Sequence, residues 1–211
     1  MMIRILIADD HAIVRSGLKQ ILEENPDMKI VAEHDNGIDV LNWLRANMCD
    51  VVLLDISMPG KSGIEVLKQL HLEKPKLPVL VISIYPEDQY AVRLFKAGAS
   101  GYLTKECAPD VVVEAVRHLA DGKKYISAPV AGMLADEFGG NDGKLPHQTL
   151  SDREYQIFLL FASAKTSTEI AAALSLSVKT IGTYRSRILE KMRLRNNAEL
   201  MRYAVENHLA A

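Results

Sequence analysis

The sequence predicts a doubly wound α/β domain built on a five-stranded parallel sheet, followed by a small all-α domain of four helices. Three observations predict it. Short β-rich apolar runs alternate with segments of 3.6-residue periodicity through about residue 121, the pattern of strands joined by crossover helices. The middle runs, Val51–Leu54 and Val79–Ile82, are apolar throughout, as strands covered on both faces are. Beyond residue 148 no strand pattern remains, and helix-start signals follow one another closely.

Taken in order, the strands are Ile3–Ala8, Ile30–His34, Val51–Asp55, Val79–Ser83 and Gly101–Thr104. The helices between them are Ala12–Glu24, Ile38–Asn47, Gly63–Glu73, Pro86–Ala97 and Pro109–Asp121; in the first, Ile13, Leu18, Ile21 and Leu22 are the apolar positions. Pro59-Gly60 marks a tight loop. Residues 122–147 read as a linker holding one short helix, around Val130–Phe138, and then the run Gly139-Gly140-Asn141-Asp142-Gly143-Lys144. In residues 148–211, Ser151-Asp152-Arg153-Glu154 and Thr166-Ser167-Thr168-Glu169 each fit a capping box. Ser177 starts a third helix to about Met192, and Asn196 or Asn197 caps a fourth, reaching about Asn207. Leu174-Ser175-Leu176 joins a short helix to a longer basic one, a helix-turn-helix arrangement. The predicted domains are therefore 1–121 and 148–211.

Composition narrows the function. Hydrophobic content of 48% and charged content of 25% are ordinary globular values. No run approaches the roughly 20 apolar residues of a membrane helix, and the chain opens directly on a strand, without a signal-peptide layout. Cys49 and Cys107 lie far apart and form no metal-binding spacing, so a reduced, cytoplasmic setting is expected. The net charge of −2 divides unevenly: residues 146–211 carry +3, the remainder −5, and the stretch 179–195 alone carries +5. An acidic half suits a cation; a basic stripe suits nucleic acid.

Each strand of the first half ends on a chemically useful group. Asp9 and Asp10 follow the first strand, Asp55 ends the third, Ser83 the fourth, and Lys105 follows the fifth. In a parallel sheet these ends share one edge, where such folds bind ligands. Three carboxylates so close repel one another unless a cation lies among them. A small hard ion such as Mg²⁺ fits, and Lys105 and Ser83 can meet a phosphate. His11, single and without a second histidine at helical spacing, reads as a helix-start residue rather than a ligand.

The motifs Ile7-Ala8-Asp9-Asp10-His11, Leu54-Asp55-Ile56-Ser57-Met58-Pro59-Gly60, Val81-Ile82-Ser83 and Gly98-Ala99-Ser100-Gly101-Tyr102-Leu103-Thr104-Lys105 resemble the receiver domain of bacterial two-component response regulators of the NarL/FixJ class. The resemblance implies a flavodoxin-like sheet, with Asp55 as phosphoacceptor. It implies Mg²⁺ held by Asp10, Asp55 and the Ser57 carbonyl, with Asp9 acting through water. It also implies that Ser83 and Tyr102 rearrange together, Tyr102 swinging inward into space that Ser83 vacates.

The segments Leu150–Glu154, Glu169-Ile170-Ala171, Ser177–Ile181, Lys191-Met192 and Glu199-Leu200 resemble the LuxR-type helix-turn-helix domain. On that resemblance Gly182, Thr183 and Ser186 face base edges, while Lys179, Tyr184, Arg187 and Lys191 hold phosphates. Val178, Ile181, Ile188 and Met192 are expected to pack inward. Ala164 replaces the usual glycine of the first helix junction, so that corner must avoid positive φ or be strained. The expected partners are a cognate sensor histidine kinase, double-stranded promoter DNA, a second copy of the phosphorylated chain and RNA polymerase. Leu200, Tyr203 and Ala204 are weighed as a dimer contact against ordinary packing. An aspartyl-phosphate hydrolase and a DNA-free adaptor are the competing classes. The first lacks a cap or substrate pocket in the sequence; the second leaves the basic helix unexplained.

Overall fold

A computed structural model describes residues 2–138, 145–207 and 209. The chain divides into two compact units, Met1–Ala135 and Asp136–Ala211. The predicted run Gly139–Lys144 lies outside the described residues.

The first unit alternates β1 (Ile3–Ala8), α1 (Ala12–Glu23), β2 (Met28–His34), α2 (Gly37–Ala46), β3 (Val51–Leu54), α3 (Gly63–Glu73), β4 (Val79–Ser83), α4 (Glu87–Ala97), β5 (Gly101–Thr104) and α5 (Pro109–Ala120). All strand pairs are parallel, in the order β2-β1-β3-β4-β5. The order reverses between β1 and β3, which opens a crevice at their carboxyl ends. Strand β2 begins two residues before the expected Ile30, because Met28 pairs with Ile3 at the edge of β1. Ile5, Ile7, Val51, Leu53, Leu80 and Ile82 form one core with Leu18 and Leu22 of α1 and Val112, Val116 and Leu119 of α5. The alternate residues Leu6, Val52, Leu54 and Val81 are equally buried, on the opposite face that α2, α3 and α4 cover. Burying each such side chain contributes roughly 1.5–3 kcal/mol, which makes these strands a rigid base for the groups at their tips.

One close approach aligns the third tip. A Cβ at Gly63 would lie 2.0 Å from the Asp55 carbonyl oxygen, so only glycine lets α3 start directly over the end of β3. The Gly63 amide donates to Ile56 O at 3.2 Å, closing that loop, and a Ser62–Glu65 capping box fixes the helix start.

Packing on the first unit continues past Asp121. Tyr125 forms an isolated parallel bridge with Gly101, and its amide donates to Ser100 O at 2.9 Å. Ser127 caps α6 (Ala128–Phe138), whose Val130 is buried.

The second unit contains a 3₁₀ turn at Pro146–Thr149 and the helices α7 (Asp152–Ala162), α8 (Ser167–Ala173), α9 (Val178–Met192) and α10 (Asn197–Glu206). The 3₁₀ turn was not expected; Pro146 at its first position is the local signal for it. Both capping boxes form, and Asn196 rather than Asn197 caps α10. Helix α7 is the core element, with Tyr155–Ala162 buried. It ends in a Schellman turn, in which Lys165 donates to Leu160 O and Ala164 to Phe161 O. Ala164 stands at the left-handed position of that turn with φ 60°, so the corner is strained by about 1–2 kcal/mol.

Candidate functional site

The strand ends of the first unit bring the predicted groups together. Asp9 and Asp55 are each 2% exposed. Lys105 bridges them, its Nζ 2.7 Å from Asp9 Oδ2 and 3.0 Å from Asp55 Oδ2. Backbone bonds fix the three carriers: Asp55 N–H donates to Ala8 O (2.8 Å), Asp9 N–H to His34 O (3.1 Å), and Lys105 N–H to Ser83 O (2.7 Å). Asp9 Oδ1 accepts from the His11 amide at 2.8 Å, and Asp55 Oδ1 from the Ser57 amide at 3.2 Å.

His11 stands at the start of α1, as expected, and beside the acids. Its Nδ1 lies 2.8 Å from Asp10 Oδ1 and 3.3 Å from Asp9 Oδ1. Donor atoms of Asp9, Asp10, His11 and Asp55 all lie within 4.8 Å of one another. The helix start that places His11 at the N-cap of α1 also turns its ring over the acids.

Burial pushes the Asp55 carboxyl above its ordinary value. The Lys105 ammonium opposes that rise and the Asp9 charge adds to it. For Lys105, burial works against the charged form, but Asp55 and Asp9 outweigh it and hold the ammonium above its ordinary value. The crevice therefore carries more negative charge than its one lysine neutralises.

Ser83 is fully buried, and its Oγ accepts from the Tyr85 amide at 3.2 Å. Tyr102 sits on the strand beside it. Its ring is already inside, 3% exposed, and its hydroxyl donates to Tyr85 O at 2.7 Å. Desolvation raises the phenol well above its ordinary value. Tyr85 was missed by the sequence reading; its backbone links Ser83 to Tyr102, and no side-chain pattern advertises that role.

In the second unit, Lys179, Gly182, Thr183, Ser186 and Arg187 are exposed along one stripe of α9, with Tyr184 half-buried beside it. Ile181, Ile188 and Met192 pack inward as expected. Val178 does not; it is 49% exposed, in the first turn of the helix, just after the Ser177 cap. Lys191 is exposed as well, and it makes an ion pair. Its ammonium lies 2.6 Å from Oε2 of buried Glu154, whose other bonds cap α7 at Ser151. Arg185 Nε donates to Asn197 Oδ1 at 2.6 Å, tying α9 to the first turn of α10. Leu200 and Ala204 are fully buried, and the Tyr203 hydroxyl lies 2.9 Å from His147 Nδ1. Leu200 and Ala204 therefore belong to the packing of the second unit, while Tyr203 stays part-exposed.

Both units match known families. Residues 5–117 match the family described as response regulator receiver domain, and residues 148–204 match bacterial regulatory proteins of the luxR family. Response regulator GacA of Pseudomonas aeruginosa is 38% identical over 207 residues, spanning 98% of this chain and 97% of the relative. Response regulator UvrY of Escherichia coli K12 is 35% identical over 209 residues, spanning 99% and 96%. Among solved structures, RcsB from Salmonella enterica serovar Typhimurium, bound to promoter P1flhDC in the presence of the phosphomimetic BeF3−, superposes with a TM-score of 0.65 at 27% identity, over 96% of this chain and 98% of that one. A structure of two RcsB dimers bound to two parallel DNAs gives a TM-score of 0.60 at 27% identity, over 97% and 98%.

Proposed function

The chain belongs to the response-regulator family, a receiver followed by a LuxR-type domain, and from that premise we propose that phosphorylation of Asp55 by a sensor histidine kinase controls dimerisation and promoter binding through α9. The observation that carries this reading is the pairing of two buried carboxylates, Asp9 and Asp55, on one part-buried ammonium at the switch point of the sheet. The solved relative bound to promoter in the presence of a phosphomimetic supports the link between the two sites.

The acidic cluster fits a small divalent cation. Its donors are hard oxygens, and Ser57 Oγ is a buried atom without a hydrogen-bond partner among the described residues. Asp9, Asp10, Asp55 and the Ser57 carbonyl would hold Mg²⁺, which when bound screens the carboxylates from an incoming phosphoryl group.

The chain's own residues do the rest. An Asp55 oxygen forms the new P–O bond as the P–N bond of the donor phosphohistidine breaks, and the imidazole leaves. Lys105, already against Asp55, receives a phosphoryl oxygen. The added charge competes for the Ser83 hydroxyl, which now rests on the Tyr85 amide. Because Tyr102 holds the Tyr85 carbonyl, a turn of Ser83 is felt by the whole β4–α4 loop. That loop is the two-state element on which the switch acts. The protein acts as a regulator rather than a phosphatase, and works in the cytoplasm, where kinase and promoter both are; no helix among the described residues is long and apolar enough to cross a membrane. RNA polymerase is a further partner of the DNA-bound dimer.

The test uses the full chain with radiolabelled acetyl phosphate and Mg²⁺. Wild type takes up acid-stable, base-labile label and its promoter affinity rises; Asp55→Asn takes up none. Equal, Mg²⁺-dependent labelling of Asp55→Asn would overturn the assignment.

A further inference from the structure

Helix α9 presents an exposed row at Lys179, Gly182, Thr183, Ser186, Arg187 and Glu190, spaced as one continuous face. Its centre is small and neutral, flanked by Lys179 and Arg187. The two central hydroxyls are oriented by the helix itself. Thr183 Oγ1 donates to Lys179 O at 3.2 Å, and Ser186 Oγ donates to Gly182 O at 3.2 Å. A hydroxyl has one hydrogen. With that hydrogen directed back along the helix, each oxygen offers the outside only lone pairs. Gly182 leaves the space between them open, since a Cβ there would meet nothing within 4 Å, although glycine is the poorest ordinary helix former.

Resting on the reading of α9 as the DNA-contacting helix, we propose that Thr183 and Ser186 are specificity-determining acceptors that select an exocyclic amino group, adenine N6 or cytosine N4, at their two positions in the major groove. These amino groups are the hydrogen-bond donors on that edge of the base pairs; guanine N7 and O6, adenine N7 and thymine O4 are acceptors. Reading an acceptor would require each hydroxyl to turn away from its helix carbonyl, and the lost bond lowers affinity roughly fivefold. Gly182 serves the same readout by letting the helix backbone approach the base edges, with Lys179 and Arg187 on phosphates at either side.

The experiment selects duplexes from a random-sequence pool with the full-length chain, activated by acetyl phosphate, at fixed salt. Wild type, Thr183→Val, Ser186→Ala and Gly182→Ala are compared, each first shown folded by circular dichroism. The expected result is an adenine or cytosine preference at two positions, one lost in Thr183→Val and the other in Ser186→Ala. Replacing a selected adenine by purine, which lacks only the 6-amino group, weakens wild type about fivefold and leaves the matching variant unchanged. Gly182→Ala keeps or raises its melting temperature yet binds every duplex more weakly. The proposal is overturned if both hydroxyl variants select the wild-type sequence. It is equally overturned if the variant-sensitive positions hold thymine or guanine, which would make the hydroxyls donors. A wild-type chain that enriches no duplex in any round would instead refute the DNA-binding reading beneath it.

Discussion

Replacing Lys191 with alanine tests whether this side chain braces the second unit from within or grips phosphate from outside. Its ammonium lies 2.6 Å from Glu154 Oε2; the glutamate side chain is 5% exposed and the lysine 44%. Fully exposed pairs contribute about 0–1 kcal/mol, and breaking a fully buried pair costs about 3–5 kcal/mol. One buried and one half-exposed partner place Lys191→Ala between them, at about 1–2 kcal/mol of lost stability, because Glu154 keeps its capping bonds to Ser151. Burial pushes the Glu154 carboxyl up, but the Lys191 ammonium and the Ser151 amide outweigh it and hold it below its ordinary value of 4.5. A depressed carboxyl contributes stability that is present above that ordinary value and lost as pH falls through the folded value. The gap between wild type and Lys191→Ala is therefore full at pH 7 and closes as pH drops below about 4.5.

The assay is urea unfolding by circular dichroism, with the single tryptophan, Trp43, reporting the first unit separately. Glu154→Gln retains a capping-box side chain and completes a double-mutant cycle, whose expected coupling is about 1 kcal/mol or more. Promoter binding is measured over a salt series in parallel. A variant as stable as wild type at pH 7, with a salt slope reduced by about one, would mean that Lys191 is a phosphate contact and that the brace is incidental.

Lys105→Met leaves two buried carboxylates, with donor atoms within 4.8 Å, facing one another; at an effective dielectric of 20 their repulsion is about 3.5 kcal/mol. The receiver melts earlier as a result, and millimolar Mg²⁺ recovers more stability in the variant than in wild type; equal Mg²⁺ effects would contradict the charge accounting. Ala164→Gly relieves the φ of 60° and stabilises the second unit by about 1 kcal/mol, read as a rise in its urea midpoint; a fall would show that Ala164 contributes more through packing than it loses through strain. Burial pushes the Cys49 thiol up to about 12, whereas Cys107 is raised less and is part-exposed. At pH 8 a maleimide therefore modifies Cys107 well before Cys49, as peptide mass mapping over time would reveal, and faster labelling of Cys49 would mean that β3 opens readily.

The receiver chemistry was legible because strand periodicity is local and parallel topology then forces all strand tips to one edge. Asp9, Asp55, Ser83 and Lys105 needed no more than that. Their burial and the Lys105 bridge did, because desolvation depends on α1 and α3 closing over the crevice. His11 was legible as a helix-start residue and is the N-cap of α1, but its acidic neighbours come from the turn into α1 and the tip of β3. The Tyr102 rotamer was invisible as well, since its partner is a backbone carbonyl 17 residues away.

The basic stripe of α9 was also legible, because helical spacing alone sorts Lys179, Thr183 and Arg187 from Ile181 and Ile188. The fate of individual charges was not. Glu154 announces itself in sequence as a cap, and only the packing of α7 on α9 makes it the partner of Lys191, 37 residues later. Sequence by itself determined which residue types lie at strand tips and helix faces, because those follow from periods of two and 3.6 residues. Tertiary structure alone decided which of those groups lose their water and which find a counter-charge, because Coulomb and desolvation energies depend on neighbours that are distant along the chain.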